Sequence, residues 1–517
     1  MIYPSFEQVR TLARSYSMIP ICYSMFSDTE TPVRLYSRIY HHPYSFLLES
    51  AGEREQRSRY SFIGKAPFLR VTARNGVLEI WDAAHSVQRR ISHNPFQELS
   101  RLLRQYQAPH YSGYPPFLVG AVGYVGYEAI RYLNSDLSTM MRGDQEVDDF
   151  HFLFYDRLWV YDHLKQEVLI VAGLHVPRFS DEGELRQGYD RVIQEIMQEI
   201  EQLKVSLPDL PPLSAAFYHG EESFASLKPQ MTPEEYLDLF QQAKKQIQAN
   251  RVSQVVLSQR WLWEDAPSPF TTYRYLRILN PSPYLFHLSM GKEFLVGSSP
   301  ESLIRIQGGK VTTRPIAGTR PRGRDEVEDQ QMAAELLQDS KELTEHQMLL
   351  QLSQKEIAQV SIPGSVQVTQ RMKVERFSHV MHLVSQVTGQ LKETCTPVDA
   401  FCASFPAGTV SGFPKKQAME LIAELEPIQR GTYAGAVGYF SFAESADLCI
   451  TIRTIYFHQG CAFIQAGGGI VADSTPTSEY QETEIKAQAV IRALALAAQT
   501  EKSAIKGGDQ DDSGIFS

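Results

Sequence analysis

The chain has 517 residues, 43% of them hydrophobic and 21% charged, which is the balance of a globular enzyme with a large core and excludes disordered or fibrous classes. A formal charge of −10, with no basic stripe or recognition motif, argues against nucleic acid as a partner, and no stretch reaches the ~18 consecutive apolar residues of a membrane span. Five cysteines (Cys22, Cys395, Cys402, Cys449 and Cys461) are odd in number and lack metal-type spacing, as expected of small buried residues in a reducing compartment.

The amino-terminal Met1-Ile-Tyr-Pro-Ser-Phe-Glu7 has neither the basic nor the apolar stretch of a signal peptide, so a cytoplasmic location is expected. Further on, Phe117-Leu-Val-Gly-Ala-Val-Gly-Tyr124 is echoed by Tyr433-Ala-Gly-Ala-Val-Gly-Tyr439, which suggests two related sheet halves. A helix is expected from about Glu182 to Lys204, followed by Leu207-Pro-Asp-Leu-Pro-Pro-Leu213 as a linker. The expected organisation is therefore residues 1–205, a linker over 206–226, a region at 227–497, and a disordered tail at 498–517, polar and glycine-rich from Lys502. Thr232-Pro-Glu-Glu-Tyr236 opens a helix with a threonine cap, proline at the first position and acids in the first turn. Strands are predicted at Gln254–Leu257, Glu293–Gly297, Ser302–Ile306, Ala434–Ser441 and Cys449–Tyr456, and one long helix over Glu326–Gln351. Strands alternating with helices in this way indicate an α+β fold of large sheets flanked by helices.

Two carboxylate pairs of one design stand out. Lys341-Glu-Leu-Thr-Glu345-His346 places Glu342 and Glu345 three residues apart, and Ser478-Glu-Tyr-Gln-Glu482 does the same with Glu479 and Glu482. Such a pair ordinarily marks a solvated helix face. Here the second follows Ala466-Gly-Gly-Gly-Ile470, where backbone can approach a ligand closely. If both segments are helices and they converge, four carboxylates around one point require a cation. A hard divalent ion, Mg²⁺ in the first instance, would relieve their repulsion and keep positions open for an anion that Lys486 could also reach.

These motifs, together with Arg314-Pro-Ile-Ala-Gly-Thr-Arg-Pro-Arg-Gly323, Phe405-Pro-Ala-Gly-Thr-Val-Ser-Gly412, Ile452-Arg-Thr454 and Gln465 to Ala472, resemble the chorismate-utilising enzyme family, and within it the synthase component (component I) of the anthranilate synthases. The resemblance runs from about Phe6 to Ala495 and implies antiparallel sheets packed between helices around one chorismate site. It implies Mg²⁺ held by Glu345 and Glu482, with Glu342 and Glu479 acting directly or through water. Arg453, Tyr433 and the Gly467, Gly468 and Gly469 backbone match positions that grip the substrate's enolpyruvyl carboxylate. Ala317, Gly318, Thr319 and Lys486 belong to the same implied pocket, and Thr409 lines it. Glu301 matches the family's proton donor for the departing C4 hydroxyl, and His382 a histidine near that end of the ring.

Two positions separate the branches of this family. Water-using members carry a lysine where this chain has Gln254, and aminodeoxychorismate synthases carry a nucleophilic lysine where it has Ala317. The resemblance thus implies ammonia as the nucleophile and anthranilate as the product, in the first step of tryptophan biosynthesis. The sequence shows no Gly-x-Cys-x-Gly nucleophile turn, so a separate glutamine amidotransferase subunit is the expected ammonia source. Glu49, Ser50, Asn280, Pro283, Tyr284, Leu285 and Phe286 resemble the family's tryptophan-feedback element. After the first acid pair, relatives usually read Asp-Leu-Gly-Arg-Asn-Asp, whereas this chain has Gln351-Leu-Ser-Gln-Lys-Glu356. That departure keeps open a non-catalytic paralogue that binds tryptophan or the amidotransferase, and an aminodeoxychorismate synthase component with relaxed dependence on the lysine is a further alternative.

Overall fold

The computed structural model describes the chain except residues 1, 52–58, 83–86, 135, 138–146, 206–209, 214–226, 377–379 and 512–517, and most of the expected linker lies outside the described residues. Helix starts follow the local chemistry. Thr232 and Thr396 each form a reciprocal capping box, with Pro233 and Pro397 in the first turn, and these open the helices Pro233–Gln248 and Pro397–Ser404.

Among the described residues, the strands form two antiparallel sheets, one of thirteen strands and one of twelve. Along Met18–Phe26, Met18 and Cys22 enter the core between the sheets while Ile19 and Ile21 enter a second core under helices. Phe46 and Phe62 alternate with Leu47 and Ile63 in the same way, so period-2 side chains are buried on both faces. Outside the larger sheet lie the helices Glu182–Lys204, Pro269–Leu279 and Pro476–Asp511. Ala333 and Leu336, from the helix Glu326–Gln338, pack on Met381 and Leu383 of the smaller sheet. The α+β expectation holds.

Both sheets are shared between the two ends of the chain. In the larger one, from edge to middle, the early strands are Ile2–Tyr3, Met18–Phe26, Glu167–His175, Arg157–Asp162, Tyr60–Lys65 and Tyr44–Glu49. The late strands, from the other edge, are Leu227–Pro229, Gln254–Trp263, Cys461–Ile470, Thr454–His458, Glu293–Ser299 and Tyr284–Met290. Each half therefore follows one winding order, and the halves meet where Leu48 pairs with Phe286. In the smaller sheet the meeting strands are Gly120–Val125 and Ala436–Ser441, with Gly123 opposite Gly438. These are the two echoed glycine runs, now seen as neighbours at the seam.

Three local expectations need correction. The long helix over Glu326–Gln351 is two helices, Glu326–Gln338 and Ser340–Val360, because the Asp339 side chain accepts from the amides of Lys341 and Glu342 and caps the second one. The strand at Cys449–Tyr456 is likewise two, Ala446–Ile450 and Thr454–His458, and Arg453 stands in the break at φ +52°. The final helix runs on past Lys502 to Asp511, where a disordered tail was expected.

Candidate active site

The second acid pair sits on the first turns of the helix Pro476–Asp511, which packs on the glycine-rich strand Cys461–Ile470. That strand stays in a regular ladder with Gln254–Trp263, and Val256 faces Gly469. Its glycines are needed for close approach: an added Cβ would lie 2.6 Å from the Tyr433 hydroxyl at Gly467, 3.1 Å from Glu479 Oε2 at Gly468, and 3.0 Å from Gln254 Nε2 at Gly469. Lys486 donates to the Gly467 carbonyl at 2.9 Å and pairs with Glu482 at 2.5 Å.

The first acid pair reaches the same strand through Gln254, whose amide donates to Glu345 Oε1 at 2.8 Å. Glu342 faces Arg320 at 3.4 Å and lies 3.1 Å from where a Gly318 Cβ would stand. Gly318 adopts φ +74°, a left-handed conformation natural to glycine. Burial, then the charge of Glu345, raises the carboxyl of Glu342. Burial, and among charges chiefly Glu482, raises Glu479, which also feels Lys341 from the other helix, so the two helix starts face one another. Among the described residues, no three of the four acids bring ligand oxygens within 4.8 Å of one another.

Glu301 lies buried past the end of Glu293–Ser299, and burial pushes its carboxyl up to about 7. The Thr409 hydroxyl lies beside it without completing a well-formed hydrogen bond, and with Lys486 and Arg453 it works against that shift. The Arg453 charge acts on Tyr433, Glu482 and Glu301, and also on His382. The left-handed turn at Arg453, on the break between two strands, gives its side chain this central position. His382 Nδ1 faces the Gly318 carbonyl at 3.2 Å; a carbonyl only accepts, so Nδ1 carries the proton. Burial lowers the imidazole, which is therefore neutral. Ala317 is buried opposite Leu383, and the Thr319 side chain lies outside the described residues.

Glu301, Thr409, Arg453, Tyr433, Lys486, the three glycines, Gln254, His382, Gly318 and the four acids thus form one connected site. Sequence reading missed Arg320, the partner of Glu342, and Arg430, which stands over the Tyr433 ring at 5.5 Å. Arg320 lies inside the Arg314–Gly323 motif, but nothing there ties it to Glu342, and Arg430 sits in no repeated or paired pattern. In the altered segment, Glu356 makes a half-buried ion pair with Lys415 at 2.7 Å.

A second cavity of about 290 Å³ opens at the seam of the two halves. Glu49, Ser50, Pro283, Tyr284, Leu285 and Phe286 all line it. Asn280 does not; its carbonyl accepts from Ser282 and Ser298 behind the wall. Glu49 is held by Tyr273 and by Arg277 Nε at 3.0 Å. Tyr439 and Asp447 are among the other lining residues, and Asp447 accepts from the Tyr284 hydroxyl at 2.8 Å.

A sequence profile described as chorismate binding enzyme matches residues 44–492. The chain belongs to the chorismate-binding enzyme family. Curated relatives in that family include an anthranilate synthase component 1 from Acetivibrio thermocellus, 41% identical, with 96% of this chain and 99% of the relative covered. Another, from Thermus thermophilus, is 40% identical over 91% of this chain and 96% of its own. The crystal structure of anthranilate synthase component I from Streptococcus pneumoniae superposes with a TM-score of 0.73 at 35% identity, covering 90% of this chain and 98% of that one. A menaquinone-specific isochorismate synthase from Escherichia coli shares the chorismate-binding enzyme fold at 20% identity and a TM-score of 0.67, with 95% and 98% covered.

Proposed function

We propose that the chain is the synthase component of an anthranilate synthase, converting chorismate and ammonia to anthranilate and pyruvate. The observation that carries this reading is the Gln254 amide bound to Glu345, together with Ala317 on a strand of the other sheet. Neither position offers a lysine that could activate water or attack the ring. Free ammonia then fits as nucleophile, and the names of the relatives agree.

Magnesium fits the donor set: four hard carboxylates, two of them raised by burial and then by a like-charged neighbour, and Glu479 Oε2 buried without a hydrogen-bond partner. Glu345 and Glu482 would hold it, with Glu342 and Glu479 beside them. When bound, it supplies Lewis-acid stabilisation of charge on the ring carboxylate.

Arg453, Tyr433 and the glycine-strand amides would bind the enolpyruvyl carboxylate, a task suited to a guanidinium and close backbone donors. Ammonia attacks C2, the ring double bonds shift, and the C4 oxygen leaves as water on taking the proton of Glu301. A carboxyl pushed up to about 7 retains that proton near neutral pH. Loss of the C2 proton then breaks the C3–oxygen bond, releasing pyruvate and an aromatic ring. Neutral His382 stands near the C4 end and orients the Gly318 turn.

A glutamine amidotransferase subunit would supply the ammonia, and tryptophan would occupy the seam cavity as feedback inhibitor. There Tyr284 and Tyr439 offer ring faces, and Glu49 and Asp447 offer acceptors for an ammonium group. The reading is tested by incubating the purified chain with chorismate, Mg²⁺ and ammonium salt and resolving the products. Anthranilate is expected, abolished in Glu345→Ala and Glu482→Ala while folding survives. Para-aminobenzoate, isochorismate or no product would refute it.

A further inference from the structure

Away from this site, a half-buried and a buried carboxylate and a buried histidine converge between the sheets. Asp148 precedes the strand Phe150–Tyr155 and His151 lies within it, both in the smaller sheet, whereas Glu293 opens a strand of the larger one. One ligand atom from each lies within 4.8 Å of the others. His151 is 4% exposed, and neither ring nitrogen has a hydrogen-bond partner. Leaving both nitrogens of a buried imidazole unmatched is costly unless something else satisfies one of them.

The surroundings orient the group. Arg74 Nε donates to Asp148 Oδ1 at 2.8 Å and leaves Oδ2 toward His151 Nδ1, 3.5 Å away. Ligands at ~2.0 Å around a tetrahedral ion stand about 3.3 Å apart, so this pair is already close to chelating distance. The Tyr124 hydroxyl donates to Glu293 Oε2 at 3.5 Å, and His458 Nδ1 lies 3.9 Å from Glu293 Oε1. Such partners behind a carboxylate are what orients a metal ligand. A cavity of about 280 Å³, walled in part by Val147, Tyr456 and His458, lies on the side of His458 and of the residue before Asp148.

We propose that Asp148, His151 and Glu293 bind one divalent transition ion, zinc(II) in the first instance, which clamps the two sheets together. One imidazole nitrogen with two carboxylate oxygens selects zinc, cobalt or manganese over magnesium or calcium. Burial holds the imidazole well below its usual range, in the neutral form that a metal requires. The site is separate from the carboxylates assigned to magnesium and does not depend on the proposed reaction.

The test uses the full chain, stripped by chelator and kept in excess magnesium to occupy the catalytic carboxylates, and titrated with cobalt(II). One equivalent should produce visible d–d bands without a thiolate charge-transfer band, displaced by one equivalent of zinc, and zinc should raise the melting temperature. His151→Gln and Glu293→Gln should weaken cobalt binding at least tenfold and lose the zinc shift, while Glu482→Gln keeps both. His151 makes no hydrogen bond, so its variant keeps the test alive should Glu293→Gln fail to fold. Absent bands, bands that survive in His151→Gln, bands lost in Glu482→Gln, or a thiolate signature would each overturn the proposal.

Discussion

Gly467→Ala tests whether the glycine strand is there for close approach to the site. The new Cβ would stand 2.6 Å from the Tyr433 hydroxyl, 2.9 Å from the Leu257 carbonyl oxygen and 3.0 Å from Val256 Cγ1. The Leu257 carbonyl belongs to a ladder strand paired with Cys461–Ile470 and cannot retreat. Tyr433 must therefore move, by about 1 Å to regain an ordinary contact of ~3.5 Å. Misplacing a positioning group by that much costs about 100-fold, or ~2.7 kcal/mol in the barrier, and overpacking removes a further ~1–3 kcal/mol of stability. With chorismate, Mg²⁺ and ammonium salt, kcat/KM should fall about 100-fold with circular dichroism unchanged. Tyr433→Phe removes the nearest clashing oxygen, so the loss in the double variant should be well short of the product of the two single losses. A Gly467→Ala protein with more than half of wild-type kcat/KM, or additive losses in the double variant, would refute the reasoning.

Glu301→Gln should cost about 10²- to 10⁴-fold in kcat. With neutral ammonia held constant, wild-type kcat/KM should fall as pH rises through about 7, because a donor whose carboxyl sits there is protonated below and spent above; the glutamine variant should lack that limb. Tyr439→Ala should weaken tryptophan inhibition at least tenfold, read from inhibition curves, and leave uninhibited kcat within about twofold, since Tyr439 lines the seam cavity and is not among the residues of the catalytic site. Glu426→Gln leaves the Arg430 guanidinium, 1% exposed, without its partner at 2.8 Å; a loss of about 3–5 kcal/mol should appear as a lowered denaturation midpoint.

What the sequence made legible was local or repeated. The acid pairs were visible because helical spacing is written in the chain, and Gly467 to Gly469 because a glycine triplet inside an apolar run is unusual. The echoed runs disclosed the seam but not that they pair across it, since register is set by partners more than 300 residues apart. The continuous helix at Glu326–Gln351 was misread because periodicity outweighed one aspartate whose side chain caps a new helix. The roles of Tyr439, Asp447 and the Asp148–His151–Glu293 group were not legible for another reason: each acts with residues from a distant strand, and no spacing encodes that meeting.

The seam also governs how the chain can be cut and how it must fold. Tyr44–Glu49 and Gly120–Val125 find their neighbours in Tyr284–Met290 and Ala436–Ser441, so severing the chain near residue 210 would strip one flank from a strand in each sheet of each fragment. Four unpaired edges rich in apolar side chains invite intermolecular pairing, and fragments made alone should aggregate where fragments made together recombine. During synthesis the early half-sheets wait for strands made more than 200 residues later. Closure of the seam is thus a late, high-contact-order step, the interval in which the protein is most exposed to misassembly.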